Sequence, residues 1–311
     1  MKAVRVHRFG GPEVMVYEDI DRPALAPDEL LVRIEAAGVG PWDAWIRAGR
    51  SALPQPLPLT LGSDIAGVIE EVGNEVSGLD SGIEVYGVVN SQFTGGYAQY
   101  AAAKAAMIAP KPSTLNFIEA ASMPVVAVTA WQMLFDYAKI QPEQRVLILG
   151  ASGSVGSLAV QLAHQHQAYT IAVASPDDAE RLMHLGAHIV LDLHDQAATV
   201  SAVDAVIDAA GGEQQRRGIA LLKRGGYIVS SVSAPDLQLL KERGAHGTFF
   251  LVNTTTHDLQ QIAELIDRGA LIARVGTVLS LSEAQIAHQM LDGTKPYARG
   301  KIVLIVPKNQ T

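Results

Sequence analysis

The chain has 311 residues, 48% of them hydrophobic, which excludes a mainly disordered protein because such a chain can bury a large core. Its 24 Lys and Arg residues against 32 Asp and Glu residues give a formal net charge of −8, which disfavours nucleic acid as the main partner. The chain has no cysteine, and this excludes disulfides, iron–sulfur clusters, thiolate zinc sites and a cysteine nucleophile.

The first residues favour a strand and not a targeting segment. Met1–Arg8 alternates apolar and basic residues and has no apolar run of signal-peptide length. The uncharged stretch Val146–Pro176 is interrupted by Gly, His, Ser and Gln, so we do not expect it to span a membrane. We therefore expect a soluble, cytoplasmic protein whose partner is neither a membrane nor nucleic acid.

The two ends of the chain are rich in strand and turn signals, whereas the middle alternates short apolar strands with longer helical patterns. The strands predicted near the ends include Leu30–Glu35, Ile65–Val72, Val275–Leu279 and Lys301–Val306. Those predicted in the middle are Arg145–Leu149, Thr170–Ala174, Ile189–Asp192, Ala205–Asp208, Tyr227–Ser230 and Thr248–Val252. Alternation of this kind is typical of a doubly wound parallel sheet. We predict an α/β fold in which this sheet, residues 121–267, is inserted into a β-rich domain made of residues 1–120 and 268–311.

A glycine-rich loop follows the first predicted strand of the sheet and precedes a helix. Its residues are Gly150, Ala151, Ser152, Gly153, Ser154, Val155 and Gly156. Small residues allow a tight turn, close approach of the backbone to a pyrophosphate, and packing of the helix against the strand. A glycine-rich turn without a ligand is the alternative, but the order of strand, loop and helix favours a dinucleotide site.

The end of the second predicted strand bears on the choice between NAD and NADP. An NAD site carries an acid there, and the segment Ala172–Ser175 contains none. Ser175 can cap the helix that begins at Pro176, and its hydroxyl can also contact a 2′-phosphate. Arg181 is the nearest basic candidate for that phosphate. We therefore favour NADPH as the cofactor, and NADH stays open.

Five segments of the chain form a recognisable set in a fixed order. They are Gly62–Gly67, Thr94–Tyr100, Met123–Trp131, Gly150–Gly156 and Arg299–Leu304. Together they resemble the medium-chain dehydrogenase/reductases, and most of all their zinc-independent quinone oxidoreductase group. The resemblance implies a GroES-like substrate domain, a Rossmann domain that binds NADPH, and a homodimer. The dimer would pair the last Rossmann strands edge to edge, which suits the apolar run Phe249–Val252.

The same resemblance bears on metal binding. In the zinc alcohol dehydrogenases of this superfamily, a Cys follows an Ala–Gly–Val turn and a His–Glu pair opens a later segment. Here Gly40 follows that turn and Ser63 stands in place of the His, and neither residue is a zinc ligand. Among the nine His residues, His184 and His188 have i, i+4 spacing, but Gly186 lies between them at the expected helix end, so we do not expect them to share a helical face. We therefore expect no metal site.

Several further residues take roles from the resemblance. Asp43 and Arg47 match a D-x-x-x-R pair near the substrate, and Trp45 replaces an aromatic that lines the quinone pocket, although ordinary packing is its alternative. Thr129 matches a Thr that faces the nicotinamide and phosphates, unless its hydroxyl bonds to its own helix. Gly211 belongs to a loop near the cofactor or to a plain turn. The sequence points to no general acid.

The chain also departs from the family pattern. Gly40 replaces an Asn that many quinone reductases carry, Leu193 stands where relatives have a Tyr near the 2′-phosphate, and no Lys follows Ser175. Without a metal an alcohol is a poor substrate, whereas a quinone or an enone spreads the negative charge that hydride brings. We predict a zinc-independent oxidoreductase that transfers hydride from NADPH to a quinone or an α,β-unsaturated carbonyl. The alternative is a cofactor-binding structural or regulatory protein without significant turnover.

Overall fold

The computed structural model divides the chain into two compact units. The described residues are 1–53, 55–192, 200 and 202–307, so Leu193 lies outside them. The first unit consists of Met1–Val125, Asn253–Arg268 and Ala273–Thr311. The second unit consists of Val126–Val252 and Gly269–Ile272. Within the described residues, no helix is both long and apolar enough to cross a membrane.

The elements are numbered in chain order over the described residues. The strands are β1 (Lys2–Val6), β2 (Met15–Asp19), β3 (Glu29–Val39), β4 (Leu59–Thr60), β5 (Asp64–Val72), β6 (Glu84–Val88), β7 (Tyr100–Lys104), β8 (Ile108–Pro110), β9 (Arg145–Leu149), β10 (Tyr169–Val173), β11 (Ile189–Leu191), β12 (Val203–Asp208), β13 (Leu222–Ser230), β14 (His246–Phe249), β15 (Val275–Ser280) and β16 (Lys301–Ile305). The helices are α1 (Pro41–Arg47), α2 (Phe117–Ala121), α3 (Pro124–Trp131), α4 (Ser154–Gln165), α5 (Ala179–His184), α6 (Gly212–Ala220), α7 (Leu237–Arg243), α8 (Thr256–Asp267) and α9 (Ala284–Leu291).

The first unit is β-rich. A seven-stranded sheet has the order β15-β16-β3-β5-β6-β8, with β7 also paired to β3, and β2-β1-β4 form a smaller sheet. Only β15 and β16 pair in parallel within the described part of this unit. The core lies between these layers and includes Leu30, Ile65, Tyr97 and Leu304, which are fully buried. Strand β3 therefore anchors the segment that leads into α1, because α1 begins two residues after β3 ends.

The second unit is a doubly wound sheet, as predicted. Its six strands have the order β11-β10-β9-β12-β13-β14, and every neighbouring pair is parallel. The chain runs from β9 towards β11 on one side and then returns to place β12 on the other side of β9. The carboxyl ends of β9 and β12 thus form the switch point at which such sheets bind ligands.

The last strand of this sheet differs from the prediction. We predicted a strand at Thr248–Val252, but β14 ends at Phe249. The next residue, Phe250, leaves the strand and is buried, with its ring 4.5 Å from the ring of Tyr137. The exposed edge of β14 is therefore shorter than the apolar run in the sequence indicates.

The domain boundary predicted at residue 268 also differs from the observed division. Residues 253–268 belong to the first unit, and residues 269–272 belong to the second. Helix α8 belongs to the first unit, because Tyr86 Oη donates to Leu259 O at 2.6 Å and Thr256 Oγ1 donates to Ile108 O at 2.8 Å. Residues 269–272 belong to the second unit, in which Ile272 N donates to Gln161 Oε1 at 2.7 Å. These hydrogen bonds join residues that are far apart in the chain, so no sequence period reports them.

Candidate functional site

The glycine-rich loop connects β9 to α4 at the switch point of the second unit. Gly150 has a φ of +71°, in the left-handed region that favours glycine. A Cβ on Gly156 would lie 2.2 Å from the Gly150 carbonyl oxygen, so a larger residue cannot pack this closely on the loop. Ala151 N donates to Val173 O at 3.1 Å, which ties the loop to the end of β10.

The first turn of α4 presents backbone donors at this loop. Gly153 is the N-cap of this 12-residue helix, and no side chain in the described part of the chain caps it. The first N–H groups of an α-helix lack partners within the helix and lie at the positive end of its dipole, which suits a phosphate. The predicted loop residues Ser152, Ser154 and Val155 lie half-buried at this turn. The loop therefore combines a close backbone approach with donors for an anion.

Both residues predicted to contact a 2′-phosphate follow β10: Ser175 lies two residues after the strand, and Arg181 lies on α5. Ser175 precedes a single 3-10 turn, Pro176–Asp178, and its hydroxyl makes no capping hydrogen bond in the described structure. The guanidinium of Arg181 lies 3.3 Å from a carboxylate oxygen of Asp178, whose side chain is buried. A phosphate contact by Arg181 would therefore share this cation with Asp178.

Gly211 and Thr129 occupy two further parts of the second unit. Gly211 is the N-cap of α6, has a φ of +72°, and donates its N–H to Asp208 Oδ1 at 2.8 Å. Thr129 lies on α3 with 5% of its surface exposed, and α3 continues into a π-helical segment at Gln132–Tyr137. π-Helical turns are rare in proteins, and those that occur are often found at functional sites. The cofactor roles of Gly211 and Thr129 stay predictions.

In the first unit, Asp43 is fully buried at the start of α1. Its Oδ2 accepts hydrogen bonds from Gly40 N at 2.8 Å and from Tyr97 Oη at 3.0 Å. Burial raises the pKa of Asp43 to about 7, against the opposing effects of the Gly40 bond and the charge of Lys301. Burial and the charge of Asp43 likewise raise the pKa of Tyr97 well above its usual value, so Tyr97 keeps its proton.

Arg47 lies at the other end of α1 and is 3% exposed. Its guanidinium contacts Gly10 O at 3.2 Å, His288 Nδ1 at 2.9 Å and Asp292 Oδ2 at 2.7 Å. Since the guanidinium only donates, His288 Nδ1 accepts, and burial followed by the charge of Arg47 lowers the pKa of His288 to about 3. We call Asp43, Arg47, Tyr97, His288 and Asp292 the α1 cluster.

The three residues predicted for the substrate pocket therefore differ in their surroundings. Asp43 and Arg47 are buried and bonded within the first unit, where they fix both ends of α1. Trp45 lies between them on the same helix, and 48% of its surface is exposed. Of the three, Trp45 alone presents its side chain to solvent, and the other two position the helix that carries it.

A second buried polar group lies beside α1, around the ammonium of Lys301. Lys301 Nζ lies 3.0 Å from Asp64 Oδ2 and 4.3 Å from the ring centre of Trp42. Asp64 is fully buried, which raises its pKa against the effect of Lys301, and its Oδ1 accepts from Val125 N at 3.0 Å. Trp42 Nε1 donates to Ser63 Oγ at 2.8 Å.

Comparison with known proteins identifies the family. Two family descriptions match, "Alcohol dehydrogenase GroES-like domain" over residues 26–113 and "Zinc-binding dehydrogenase" over residues 185–304. The quinone oxidoreductase of Mus musculus is 32% identical over 98% of this chain and 98% of its own length. The chain belongs to the medium-chain dehydrogenase/reductase superfamily, in its quinone oxidoreductase-like group.

Solved structures of this superfamily confirm the predicted fold class. The quinone oxidoreductase from Coxiella burnetii has a TM-score of 0.89 and 31% identity, with 99% of each chain covered. The Escherichia coli quinone oxidoreductase complexed with NADPH has a TM-score of 0.87 and 26% identity, over 98% of this chain and all of that one. This chain is accordingly an oxidoreductase of the medium-chain dehydrogenase/reductase superfamily.

The residues of this superfamily member do not fit the zinc of its "Zinc-binding dehydrogenase" description. A Cβ on Gly40 would lie 2.3 Å from a ring carbon of Trp42, so a Cys at this position would clash with the indole. The ammonium of Lys301 already pairs with Asp64 and would repel a divalent cation. Among the described residues, no group of three or more His, Asp or Glu side chains is arranged to hold a metal ion.

Sequence reasoning missed most of the polar contacts of this superfamily member. His288 and Asp292 lie more than 240 positions after Arg47, and Lys301 lies 237 positions after Asp64. Asp208 ends a predicted strand, and an acid at the end of a buried strand is the signal that could have identified it. The π-helical segment after α3 left no signal, because its residues continue the apolar pattern of the helix.

Proposed function

We propose that this oxidoreductase transfers hydride from NADPH to a quinone or an α,β-unsaturated carbonyl such as a 2-alkenal, without a metal ion. The observation that carries the proposal is the loop Gly150–Gly156, which places the uncapped start of α4 at the switch point of a parallel sheet. A Cβ on Gly156 would lie 2.2 Å from the Gly150 carbonyl oxygen, so the loop can turn this tightly only because Gly156 has no side chain. A related quinone oxidoreductase complexed with NADPH supports the same cofactor.

The chain's own residues supply binding and orientation. Bound NADPH supplies a hydride from its nicotinamide C4. The first N–H groups of α4 would hold the pyrophosphate, and the exposed ring of Trp45 would offer an aromatic face to a quinone. Asp43 and Arg47 are positioning residues, since they fix α1 and do not face solvent. Reduction of a quinone to a hydroquinone would take this hydride, which leaves the cofactor oxidised, and one proton, which would come from water.

Metal-free chemistry suits these acceptors. Hydride transfer to a quinone or an enone gives a phenolate or an enolate, in which the negative charge is delocalised over several atoms. A simple aldehyde gives a localised alkoxide, which a metal ion or a strong donor has to stabilise. We therefore expect quinones and enones to be reduced and simple aldehydes to react poorly.

The preference for NADPH over NADH rests on the end of β10. The hydroxyl of Ser175 makes no capping bond in the described structure, and Arg181 lies one turn further on. We expect NADPH to bind about tenfold more tightly than NADH, which corresponds to one charge-assisted hydrogen bond of about 1.4 kcal/mol. Arg181→Ala should weaken NADPH binding and leave NADH binding unchanged. Equal losses for both cofactors would contradict this assignment.

A small-molecule acceptor and a homodimer complete the proposal. Strand β14 forms one edge of the second unit's sheet. Its last residue, Phe249, is 39% exposed, and Leu251, two residues after the strand ends, is 57% exposed. We infer that two copies pair through this edge, since an unpaired strand edge with apolar side chains invites association. Sedimentation of the full chain should give a dimer, and Phe249→Lys should give a monomer that still binds NADPH. A monomer for the unaltered chain would contradict the pairing.

The test of the function is turnover with a panel of acceptors. The protein is mixed with NADPH and with o-quinones, p-quinones or 2-alkenals, and nicotinamide absorbance is followed. We expect NADPH oxidation with at least one class. No oxidation with any acceptor, in protein that binds NADPH, would contradict the proposal and favour the structural or regulatory alternative.

A matched pair of variants tests the cofactor loop itself. Gly153 has φ −77° and ψ 173°, a conformation open to any residue, and Asp is a favoured N-cap. Gly153→Asp should therefore fold but place a carboxylate against the pyrophosphate, so that NADPH binding is lost. Gly153→Ala adds the same Cβ without the charge and should bind NADPH within about tenfold of the unaltered chain. Equal affinity in Gly153→Asp would mean that another loop binds the cofactor.

A further inference from the structure

The buried carboxylate of Asp208 lies at the carboxyl edge of the second unit's sheet. Asp208 is the last residue of β12 and is fully buried. It is in register with Leu149 of β9 on one side and with Ser230 of β13 on the other. It therefore lies at the switch point, one residue from where β9 passes into the loop that starts at Gly150.

Four donors bind this carboxylate: two backbone N–H groups of the loop after β12, one side chain of α6 and one side chain at the end of β13. Oδ1 accepts from Ala210 N at 3.0 Å and from Gly211 N at 2.8 Å. Oδ2 accepts from Gln215 Nε2 at 2.9 Å and from Ser230 Oγ at 2.7 Å. All four donors are neutral, and burying a carboxylate is costly unless such bonds replace its water.

The contacts continue into the loop that follows β13. Ser230 Oγ, which donates to Asp208, accepts from Val232 N and Ser233 N, both at 3.2 Å. Gln215 Nε2, which donates to Asp208, also donates to Ser233 O at 3.0 Å. One carboxylate thus fixes the loop after β12 directly and the loop after β13 through two side chains.

These two loops pack side by side with the glycine-rich loop. A Cβ on Gly150 would lie 3.1 Å from Ala209 O, and a Cβ on Gly211 would lie 2.9 Å from Val232 Cγ1. The loops after β9, β12 and β13 therefore form one continuous rim without room between them. A shift of the loop after β12 would be transmitted to both neighbours, because closely packed atoms leave no slack.

We propose that Asp208 is a positioning residue for the dinucleotide, which sets the loops after β12 and β13 relative to the glycine-rich loop. The proposal rests on the proposed function, since it assumes that NADPH binds at this rim. In a doubly wound sheet the two nucleotide halves lie on opposite sides of the switch point. The adenosine half then depends on the β9 to β11 side, and the nicotinamide half depends on the side that Asp208 organises.

The test compares the whole cofactor with its adenosine half. The unaltered chain and Asp208→Asn are titrated with NADPH and with adenosine 2′,5′-bisphosphate, which lacks the nicotinamide half. Asn keeps one acceptor oxygen for Ala210 and Gly211 but turns an NH2 group towards Gln215 and Ser230. We expect NADPH to bind about tenfold more weakly, whereas the bisphosphate changes less than about twofold.

Two further variants keep the test decisive. Ser230→Ala removes one side chain of the network with little change in volume, and it should show the same selective loss of NADPH affinity. It keeps the proposal testable if Asp208→Asn does not fold. Asp204→Asn makes the same substitution at the amino end of β12, where the carboxylate accepts from Arg145 N at 2.8 Å. Asp204→Asn should leave both affinities unchanged.

The outcomes separate this proposal from the function on which it rests. Equal weakening of both ligands, or no weakening of NADPH, would overturn the positioning role of Asp208 while the proposed function stands. Failure of the unaltered chain to bind NADPH would overturn the proposed function and this proposal with it. A selective loss of NADPH in both rim variants, absent in Asp204→Asn, would support it.

Discussion

The glycine-rich loop and the α1 cluster serve the same proposed reaction but are built in opposite ways. The loop is one run of residues whose function depends on backbone: a positive φ at Gly150 and a close approach at Gly156. The α1 cluster combines side chains of α1 and α9 with Tyr97 and Asp292. All of its residues except Asp292 are buried, and hydrogen bonds join Asp43 to Tyr97 and Arg47 to His288 and Asp292. A backbone site tolerates changes of side chain but no added atom where the backbone packs closely, as at Gly156, whereas a side-chain cluster fails when one partner is removed.

The largest effect is expected at the buried ion pair beside α1. Lys301→Met removes the cation that faces the fully buried Asp64, and an uncompensated buried charge costs about 3–5 kcal/mol. Denaturant unfolding of the full chain measures the loss of unfolding free energy. Lys2→Met, at an exposed ion pair with Asp19, is the control and should leave stability unchanged. A loss below about 1 kcal/mol for Lys301→Met would mean that the pair is not sealed from water.

The next effect tests whether the loop is a backbone site. Gly156→Ala adds a Cβ that would lie 2.2 Å from the Gly150 carbonyl oxygen, so the loop must move. We expect NADPH affinity to fall at least 100-fold, about 2.7 kcal/mol by calorimetry. Ser154→Ala removes a hydroxyl from the same turn and should change affinity less than about threefold. A larger loss of NADPH affinity in Ser154→Ala than in Gly156→Ala would contradict a site that depends on its backbone.

Asp43 and His288 should give pH dependences of opposite sign. Because the pKa of Asp43 is raised to about 7, the folded chain holds this proton where the unfolded chain does not, and stability falls as pH rises from about 4 to 7. Because the pKa of His288 is lowered to about 3, the unfolded chain takes up the proton first, and stability falls as pH drops from about 6.5 to 3.

Single variants separate these two contributions. Asp43→Asn minus the unaltered chain should give an unfolding free energy that rises with pH by about 1.4 kcal/mol per unit between pH 4 and 6. His288→Asn minus the unaltered chain should fall by about the same amount over that range. Denaturant titrations at several pH values measure both slopes. Slopes of the same sign would contradict the burial of one of the two groups.

The smallest effect is expected at the exposed member of α1. Trp45→Ala should raise KM for a quinone about tenfold, roughly 1.4 kcal/mol, because it removes an aromatic face and leaves the cofactor loop intact. NADPH affinity should stay the same, and Trp45→Phe should restore most of the loss. An unchanged KM in steady-state assays would return Trp45 to its alternative role of ordinary packing.

The sequence predicted the second unit well because its signals are local. The strand Arg145–Leu149 has the observed bounds, and the loop that follows it reads directly as small residues between a strand and a helix. The end of β14 was displaced because the apolar residue Phe250 packs against Tyr137 instead of continuing the strand. An apolar pattern indicates that residues are buried, but it does not indicate which residues they pack against.

The first unit resisted prediction because its polar contacts join distant parts of the chain. Asp43 and Arg47 were identified through a resemblance, but the partners of Arg47 are His288 on α9 and Asp292 directly after α9. Nothing in the local pattern of Lys301 indicates that it pairs with Asp64. Such contacts follow from the register of β3, β5 and β16, which the sequence specifies only through the whole fold.

The most direct test of metal-free hydride transfer from NADPH is turnover by metal-stripped protein. The full chain is dialysed against a strong chelator, its zinc content is measured, and NADPH oxidation with a p-quinone is followed with and without added zinc. We predict the same kcat/KM before and after stripping, with no gain on adding zinc. Activity that disappears on stripping and returns with zinc would contradict the account.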